Sequence, residues 1–567
     1  MKKYGYCFVV FVAVYAFCII YKSSPPLMSG DDALFFMQLQ GGNSVWHGMD
    51  FDYKRFFPLA GWNLNLIALF STNPYAFMIG NGFVFIITAY CYYMLVRGFG
   101  VGSGLILLSF VLLTLSVGYT KIITQITFPE TTQIMFLMAF LLCAKKIYCF
   151  ANKSNAESKQ KNNADSANYA KIAESSVKSA ESNSYIYIYI ICALFCANFA
   201  IYLKEVSFIL ISGFGFFHLL FCFVNCRLFN ALKPSNYAII FDILLIISGV
   251  IFLLLYLYFT RGAQSSYTQL ENVFSATRTF VVAILSAPLI SICAPLMLCC
   301  RIYFLFRDKT PLCPFSDALL LIAICYFVAF LVLGMGSFHY FMPSNFLCAI
   351  FGVIFLHKYI RRIHKNIVFL GACGVCGFIF LTNALPQGLH YFSINKVQMR
   401  NLSEGMAFLA DYIRTNKGVT LYFDGFCRGR DRCYYFWQYG VIFDILPKMH
   451  GVSDFDIKSK EPNGENFTPN PNAKFSFYRD SVVSVPQRGD LIIVSFMSDK
   501  AISNAYLAEM KGEYELLFES KNIGYIPSYN LMSFGALMLQ KWGIKHALSN
   551  LGNPLKLPRQ FFVFRVK

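Results

Sequence analysis

Residues 185–224 read YIYIYIICALFCANFAIYLKEVSFILISGFGFFHLLFCFV, and Lys204 and Glu205 are the only charged side chains among them. A helix needs about 20 apolar residues to cross the hydrocarbon core of a bilayer. This segment is about twice as long as a single span, and the charged pair lies near its middle. Splitting it at Lys204 and Glu205 predicts two membrane helices joined by a tight, charged turn.

Similar apolar runs occur on both sides of this hairpin. Hydrophobic residues make up 57% of the chain and charged residues 14%, whereas a soluble protein of this length would carry about a quarter charged residues. We therefore predict a polytopic α-helical membrane protein of about eleven transmembrane helices. The predicted spans besides the hairpin are approximately 6–21, 75–96, 101–118, 131–148, 237–259, 280–299, 318–335, 340–357 and 367–385.

The basic residues indicate the orientation of these spans. The net charge of +18 is spread over many loops instead of one segment, so it does not predict a nucleic-acid partner. If the N-terminus is cytoplasmic, every inner loop carries Lys or Arg, as at Lys145 and Lys146, and this pattern follows the positive-inside rule. We expect an uncleaved first helix, a bacterial inner (plasma) membrane location, and a C-terminal region in the periplasm.

Two further segments differ from the apolar runs in composition. Residues 151–184 are rich in Ser, Asn, Ala and Lys without an apolar period, and they predict a disordered cytoplasmic loop. Residues 386–567 alternate helical and strand patterns, with apolar strands in GVTLYFDG, GDLIIVSF, YELLFES and QFFVFRV. We predict a transmembrane domain over 1–385 and an extracytoplasmic α/β domain over 386–567.

The tail contains only two of the nineteen cysteines, Cys427 and Cys433. An isolated pair in an exported domain predicts a disulfide, and two free thiols in a reducing compartment are the alternative.

The acidic residues concentrate at the outer ends of the predicted helices. Outside the 151–184 loop, the first 385 residues contain ten acids, and seven of these lie at the outer face: Asp31, Asp32, Asp50, Asp52, Glu130, Glu205 and Glu271. Ionisable residues at the membrane edge are costly and are usually functional. Asp31 or Asp32 could act as a general base towards a hydroxyl, or could cap a helix N-terminus. Glu130 follows Pro129, where a helix-start acid is the alternative to a functional carboxylate.

Lys204 and Glu205 are the most informative charges, because a charged pair at the tip of an apolar hairpin needs a partner or an anionic ligand. Lysine commonly binds phosphate, whereas a snorkelling side chain is the structural alternative. His339 and Tyr340, in the outer sequence GSFHYFMPSN, could contact a ligand head group or belong to an interfacial aromatic belt. Arg55 is a further outer-face cation. The sequence contains no phosphate-binding loop, dinucleotide fingerprint, zinc-protease motif or nucleophile elbow.

Together these features resemble the GT-C superfamily of membrane glycosyltransferases, which includes protein O-mannosyltransferases and the aminoarabinose transferases that modify lipid A. The resemblance covers about 10–385, together with the exported C-terminal domain. Its motifs are short: Gly30-Asp31-Asp32, Arg55-Phe56-Phe57-Pro58-Leu59, Pro129-Glu130, Lys204-Glu205 and Tyr340-Phe341-Met342-Pro343.

The resemblance implies inverting transfer of a sugar from a polyprenyl-phosphate carrier to a glycan, lipid or protein acceptor outside the cytoplasm. It implies that Asp31 or Asp32 is the catalytic base and that Glu130 shapes the acceptor or cation site. It assigns the donor phosphate to three residues: Lys204, Tyr340 and Arg55. It names no metal ligands in this chain, leaves a divalent cation open, and fixes neither the sugar nor the acceptor.

Two other functions compete with this interpretation. A polymerase or ligase of lipid-linked polysaccharide would place its key charges in large outer loops between late spans, and those loops are short here. A transporter or flippase would show internal repeats and charges near the membrane midplane. The halves of this chain show no repeat, and its charges lie at the edge, so both alternatives are disfavoured.

Overall fold

The computed structural model covers the whole chain, and the described residues are 2–22, 30–46, 48–50, 55–162, 169–230, 234–262, 276–363, 367–423, 443–459, 471–480, 484–495, 504–524, 526, 531, 538 and 560–567. The predicted pair Cys427 and Cys433 lies outside these residues.

The membrane part is built from helices α1 to α16, joined in places by short 3-10 or π segments. The helices are α1 Lys2–Phe17, α2 Gly30–Gln40, α3 Trp62–Ala68, α4 Pro74–Arg97, α5 Ser103–Thr114, α6 Val117–Ile123, α7 Glu130–Asn162, α8 Tyr169–Tyr202, α9 Phe208–Phe229, α10 Asn236–Thr260, α11 Ala276–Ser286, α12 Ala294–Phe306, α13 Pro314–Val332, α14 Met342–Ile363, α15 Ile367–Ile379 and α16 Leu385–Thr415. A two-residue hairpin pairs β1, Met49–Asp50, with β2, Arg55–Phe56, in antiparallel fashion.

The predicted polytopic helical class is confirmed. Within the described residues, nine helical segments are long and apolar enough to cross a membrane, and ten are if α5 and α6 count as one bent span. The predicted number of about eleven is reached only by adding the shorter apolar helix Ile186–Tyr202, which forms the first arm of the predicted hairpin.

Three predicted spans differ in detail from the helices observed. The third is broken by a 71° bend between α5 and α6. The eighth, predicted at 280–299, divides near Pro288 into α11 and a longer segment, Leu289–Phe306, because proline cannot continue the hydrogen-bond ladder of a helix. The eleventh does not stop near 385. It continues as one helical segment, Val368–Thr415, across the predicted domain boundary.

Of the loop predicted to be disordered, 151–184, the structure describes residues 151–162 and 169–184, which lie in helices. Helix α7 continues to Asn162 and α8 begins at Tyr169. The segment lacks an apolar face, but its Ala, Lys and Glu residues have high helix propensity and extend the two flanking membrane helices.

The predicted α/β tail is confirmed as a five-stranded mixed sheet with short helices. Its strands are β3 Val419–Phe423, β4 Phe455–Lys458, β5 Leu491–Val494, β6 Tyr514–Glu519 and β7 Phe562–Val566, in the order β4-β3-β5-β7-β6. Strand β3 is parallel to β4 and β5, and β7 is antiparallel to β5 and β6. The accompanying helices are Ile445–His450, Ser476–Asp480 and Asn504–Glu513.

One hydrophobic cluster, separate from the main core of the bundle, joins the tail to one end of the bundle. Phe36 and Met37 of α2 are buried in the same cluster as Leu409 of α16 and Leu421 of β3. Gly405 of α16 faces the Phe561 ring, and a Cβ added there would collide with it, so the glycine permits close approach of the segment that leads into β7. We call the end of the bundle that carries α2 and this sheet the tail face.

A buried polar cluster ties three membrane helices together away from the tail face. The Tyr148 hydroxyl of α7 donates to Asp242 of α10, and His218 Nδ1 of α9 lies 2.7 Å from the other oxygen of Asp242. The His218 and Tyr148 rings stack with their centroids 3.8 Å apart. A buried polar group is tolerated in an apolar interior when it is hydrogen-bonded in this way.

Candidate active site

Helix α2 separates the two aspartates that the sequence could not distinguish. Asp31 and Asp32 both lie in its first turn, but Asp31 is exposed and Asp32 is completely buried. Successive side chains on a helix point in directions about 100° apart. One aspartate of the predicted pair therefore faces solvent, and the other faces the junction between the tail and the bundle.

Asp32 organises the loop between α6 and α7. Its Oδ1 accepts hydrogen bonds from the backbone N–H groups of Ile126, at 3.2 Å, and Thr127, at 3.0 Å. Both donors belong to the loop that leads through Pro129 to Glu130, the first residue of α7. The two bonds hold the Asp32 carboxylate in one orientation and couple it to the position of Glu130.

Glu130 forms a buried ion pair with Lys204. Lys204 Nζ lies 3.4 Å from Glu130 Oε1, and the two residues are 7% and 1% exposed. Glu130 lies at the N-terminus of α7, where the helix dipole favours a negative charge. Lys204 has extended backbone between α8 and the 3-10 turn Glu205–Ser207. Removing either partner would leave an uncompensated buried charge, so both ionised groups depend on the pairing.

Two predicted motifs converge on the Lys204 ammonium. Its Nζ lies 4.9 Å from the centre of the Tyr340 ring and 5.3 Å from that of Phe57. The first ring belongs to the 3-10 turn Phe338–Phe341, and the second follows β2. Arg55 of β2 is close enough to Tyr340 for electrostatic interaction. The faces of both aromatic rings stabilise the ammonium through cation–π interactions.

Lys121 belongs to the same cluster, although the sequence pattern did not predict a role for it. This α6 residue interacts electrostatically with Glu130 and Asp32, and its Nζ lies 5.2 Å from the centre of the Phe128 ring. The signal available in the sequence was its place in TKIITQITFPE, the short connection that also contains Glu130. The orientation of Lys121 could not be predicted, because the third span was expected to be one straight helix and the bend before α6 sets the direction of this side chain.

Buried His339 completes the aromatic wall beside these charges. Its ring centre lies 4.4 Å from that of Phe128 and 4.1 Å from that of Tyr340, and it interacts electrostatically with Lys121 and Lys204. The sequence offered both His339 and Tyr340 as ligand contacts, and both interact electrostatically with Lys204 in the structure.

The described residues thus bring the buried side chains of Asp32, Glu130 and Lys204 together with half-buried Tyr340, and Arg55 lies beside Tyr340. Asp31 is the predicted site residue that stays outside it. No group of three or more His, Cys, Asp or Glu side chains in the described part of the chain is placed to hold a metal ion. The cluster combines carboxylates with ammonium groups at the tail face. A carboxylate there can accept a proton, and an ammonium group close to it can bind an anion.

Comparison with known proteins gave limited matches. No protein-family model matches the chain, and no curated protein matches its sequence. Among solved structures, the chain is similar to ArnT from Cupriavidus metallidurans bound to undecaprenyl phosphate, with 11% identity, a TM-score of 0.42, and coverage of 98% of this chain and 97% of that chain. For the apo state of the same protein, the identity is 11%, the TM-score 0.43, and the coverage 91% and 96%.

Proposed function

We propose that the chain is a membrane glycosyltransferase of the GT-C type, which moves a sugar from a polyprenyl-phosphate carrier to an acceptor at the tail face, outside the cytoplasm. The observation that carries this proposal is the buried Glu130–Lys204 ion pair at the tail face. Lys121 interacts electrostatically with both Glu130 and Asp32, and so connects this pair to the aspartate. A donor with a lipid tail and an anionic head requires a reaction centre at the edge of the membrane.

Lys204 is the group that binds the donor phosphate. Lys204 lies in the turn between two apolar helices, at the edge of the membrane. A lipid-anchored phosphate could therefore approach its ammonium without leaving the membrane surface. Glu130 holds the ammonium in place before the donor arrives. As the sugar leaves, negative charge grows on the carrier phosphate, and a prepositioned cation stabilises that charge most strongly in the transition state. Tyr340 and Arg55 border the same position.

Asp32 is the general base. The acceptor hydroxyl oxygen attacks the anomeric carbon of the sugar, the bond from that carbon to the carrier phosphate oxygen breaks with its electron pair on the phosphate, and the hydroxyl proton passes to Asp32. A base must hold its oxygen within hydrogen-bond reach of the proton it removes. The two backbone N–H groups on Asp32 Oδ1 fix the carboxylate for that purpose. A single displacement of this kind inverts the anomeric centre.

The chain itself supplies the positive charge in this scheme. Glu130 already faces the Lys204 ammonium, and Lys121 interacts with both Glu130 and Asp32. These ammonium groups place positive charge beside both carboxylates.

The proposal predicts a missing sugar in cells that lack this chain. Mass spectrometry of surface glycolipids and glycoproteins, from otherwise identical cells with and without the chain, should reveal a sugar unit whose loss is restored by the wild-type gene. The mass of the unit and the molecule that carries it would identify the sugar and the acceptor class. Unchanged surface glycans, with lipid-linked sugars redistributed across the membrane, would instead favour a transporter.

A further inference from the structure

A second cavity at the tail face lies outside the proposed transfer site. It has a volume of about 500 Å³ and lies between α1, the junction of α5 with α6, α16 and the tail. Six of its lining residues carry the inference: Tyr15, Leu115, Phe392, Ser393, Lys396 and Arg400. The lining residues that the structure describes include two cationic side chains and no carboxylate.

The polarity of the cavity wall changes along α16. Leu389 and Phe392 come first, then the Ser393 hydroxyl, and then Lys396 and Arg400, which lie four residues apart on the same helix face with Val397 between them. From the first to the last of these residues the helix rises by roughly 16 Å. The apolar end is continued by Tyr15 of the first span. This gradient matches an amphiphile with its chain beside the spans and its anionic head at the cations.

The tail lines one side of this cavity and is hydrogen-bonded to α16 there. The Ile526 N–H donates to Ser393 Oγ at 2.9 Å, the Ser393 hydroxyl donates to the carbonyl of His390 at 3.0 Å, and His390 Nδ1 lies 2.7 Å from the Ile526 carbonyl oxygen. Ile523, Gly524 and Ile526 line the cavity from that side. A ligand here would contact the bundle and the exported domain together.

Helix α6 separates this cavity from the proposed reaction centre. Thr120 lines the cavity, whereas the adjacent Lys121 interacts with Glu130 and Asp32. Asn395 of α16 donates to Thr124 Oγ1 at 2.9 Å, a bond that joins α16 to the C-terminal end of α6. The cavity is therefore a different site and not an extension of the cluster around Lys204.

We propose that this cavity binds the head of an anionic phospholipid, with the phosphate between Lys396 and Arg400 and an acyl chain against Tyr15, Leu115 and Phe392. Basic pockets between membrane helices bind lipid head groups in this way. Arg400 also forms an exposed ion pair with Glu404 at 2.8 Å, a type of pair that is weak enough to exchange for a phosphate. The bound lipid fastens the exported sheet to the membrane core, whatever reaction the protein performs.

Native mass spectrometry of the purified full-length chain tests this site. With phosphatidylglycerol added, we expect one lipid to remain bound, and phosphatidylcholine should bind much more weakly. The double variant Lys396→Gln, Arg400→Gln should weaken phosphatidylglycerol binding about 30-fold. Each of the two cations supplies a similar share of the attraction to the anionic head group, and the variant removes both. Arg414→Gln is the matched control, since Arg414 lies on the same helix, pairs with Asp411 and does not line the cavity.

Further arms separate the charge from the particular side chains and from the lipid chain. The exchanged variant Lys396→Arg, Arg400→Lys keeps both charges and should retain the lipid, because the positive charge and not the identity of either side chain holds the head group. Inorganic phosphate at an equal phosphate concentration should not displace the lipid. Equal binding of both phospholipids, unaltered binding by the double variant, or displacement by inorganic phosphate alone would each overturn the proposal.

Discussion

Replacing Lys204 with methionine is expected to reduce the rate of sugar transfer about 10²- to 10³-fold, which is the usual cost of removing one preorganised group that stabilises charge in a transition state. Methionine retains much of the apolar stem that lies between the Tyr340 and Phe57 rings but removes the ammonium. The measurement is the rate at which the sugar unit identified by mass spectrometry appears in membranes from cells that carry each variant.

Lys145→Met provides the matched control for this experiment. Lys145 is also a largely buried lysine, and it lies on α7 far along the helix from Glu130. Its Nζ donates to the carbonyl of Leu95 at 3.2 Å and lies 3.8 Å from the centre of the Phe99 ring. This variant should keep nearly wild-type transfer in protein of equal abundance. If the Lys204 variant also kept it, Lys204 would have no role at the donor phosphate.

The second large effect is expected at Asp32. Asp32→Asn should lower the transfer rate by about 10²- to 10⁴-fold, the range for removal of a general base. The asparagine keeps a carbonyl oxygen that can accept the N–H groups of Ile126 and Thr127, so the loop should stay in place. Binding of the carrier phosphate should be unchanged, which separates a lost base from a displaced loop.

Asp31→Asn is the control for Asp32, because it makes the same chemical change one residue earlier on an exposed side chain. This variant should transfer sugar at a rate close to that of the wild type. Equal losses in the two variants, or full activity in Asp32→Asn, would remove Asp32 from the role of base.

The helices were predictable because long apolar runs have few alternatives in a membrane protein, but the break in the third span was not. Residues 101–118 have the composition of one span, whereas the structure bends after Thr114 and resumes as α6 at Val117. Gly118 lies against Met342 and the carbonyl of Phe338, and a Cβ there would collide with them. The bend thus accompanies packing against a segment more than two hundred residues away, which hydropathy does not detect.

The candidate site, whose role stays a prediction, could be located from the sequence to a similar extent. Glu130, Lys204 and Asp32 were identified because charges are scarce near the membrane, and all three are buried in the structure. Which of Asp31 and Asp32 is buried depends on how α2 is rotated about its own axis. The amphipathic sequence of α2 did not determine that rotation. Lys121 was missed because its orientation depends on the bend before α6. Strand β4 was missed because FDIK is short and half polar.

Direct binding of the carrier tests most closely whether the Glu130–Lys204 cluster receives a lipid-linked phosphate. Undecaprenyl phosphate can be titrated into nanodiscs that contain the wild-type chain, Lys204→Met or Lys145→Met, and the bound fraction measured. We predict saturable binding by the wild type and by Lys145→Met, and binding weakened at least about tenfold in Lys204→Met, since a hydrogen bond to a charged group contributes roughly 1.5–3 kcal/mol. Equal binding by all three proteins would contradict the assignment of this cluster as the donor site.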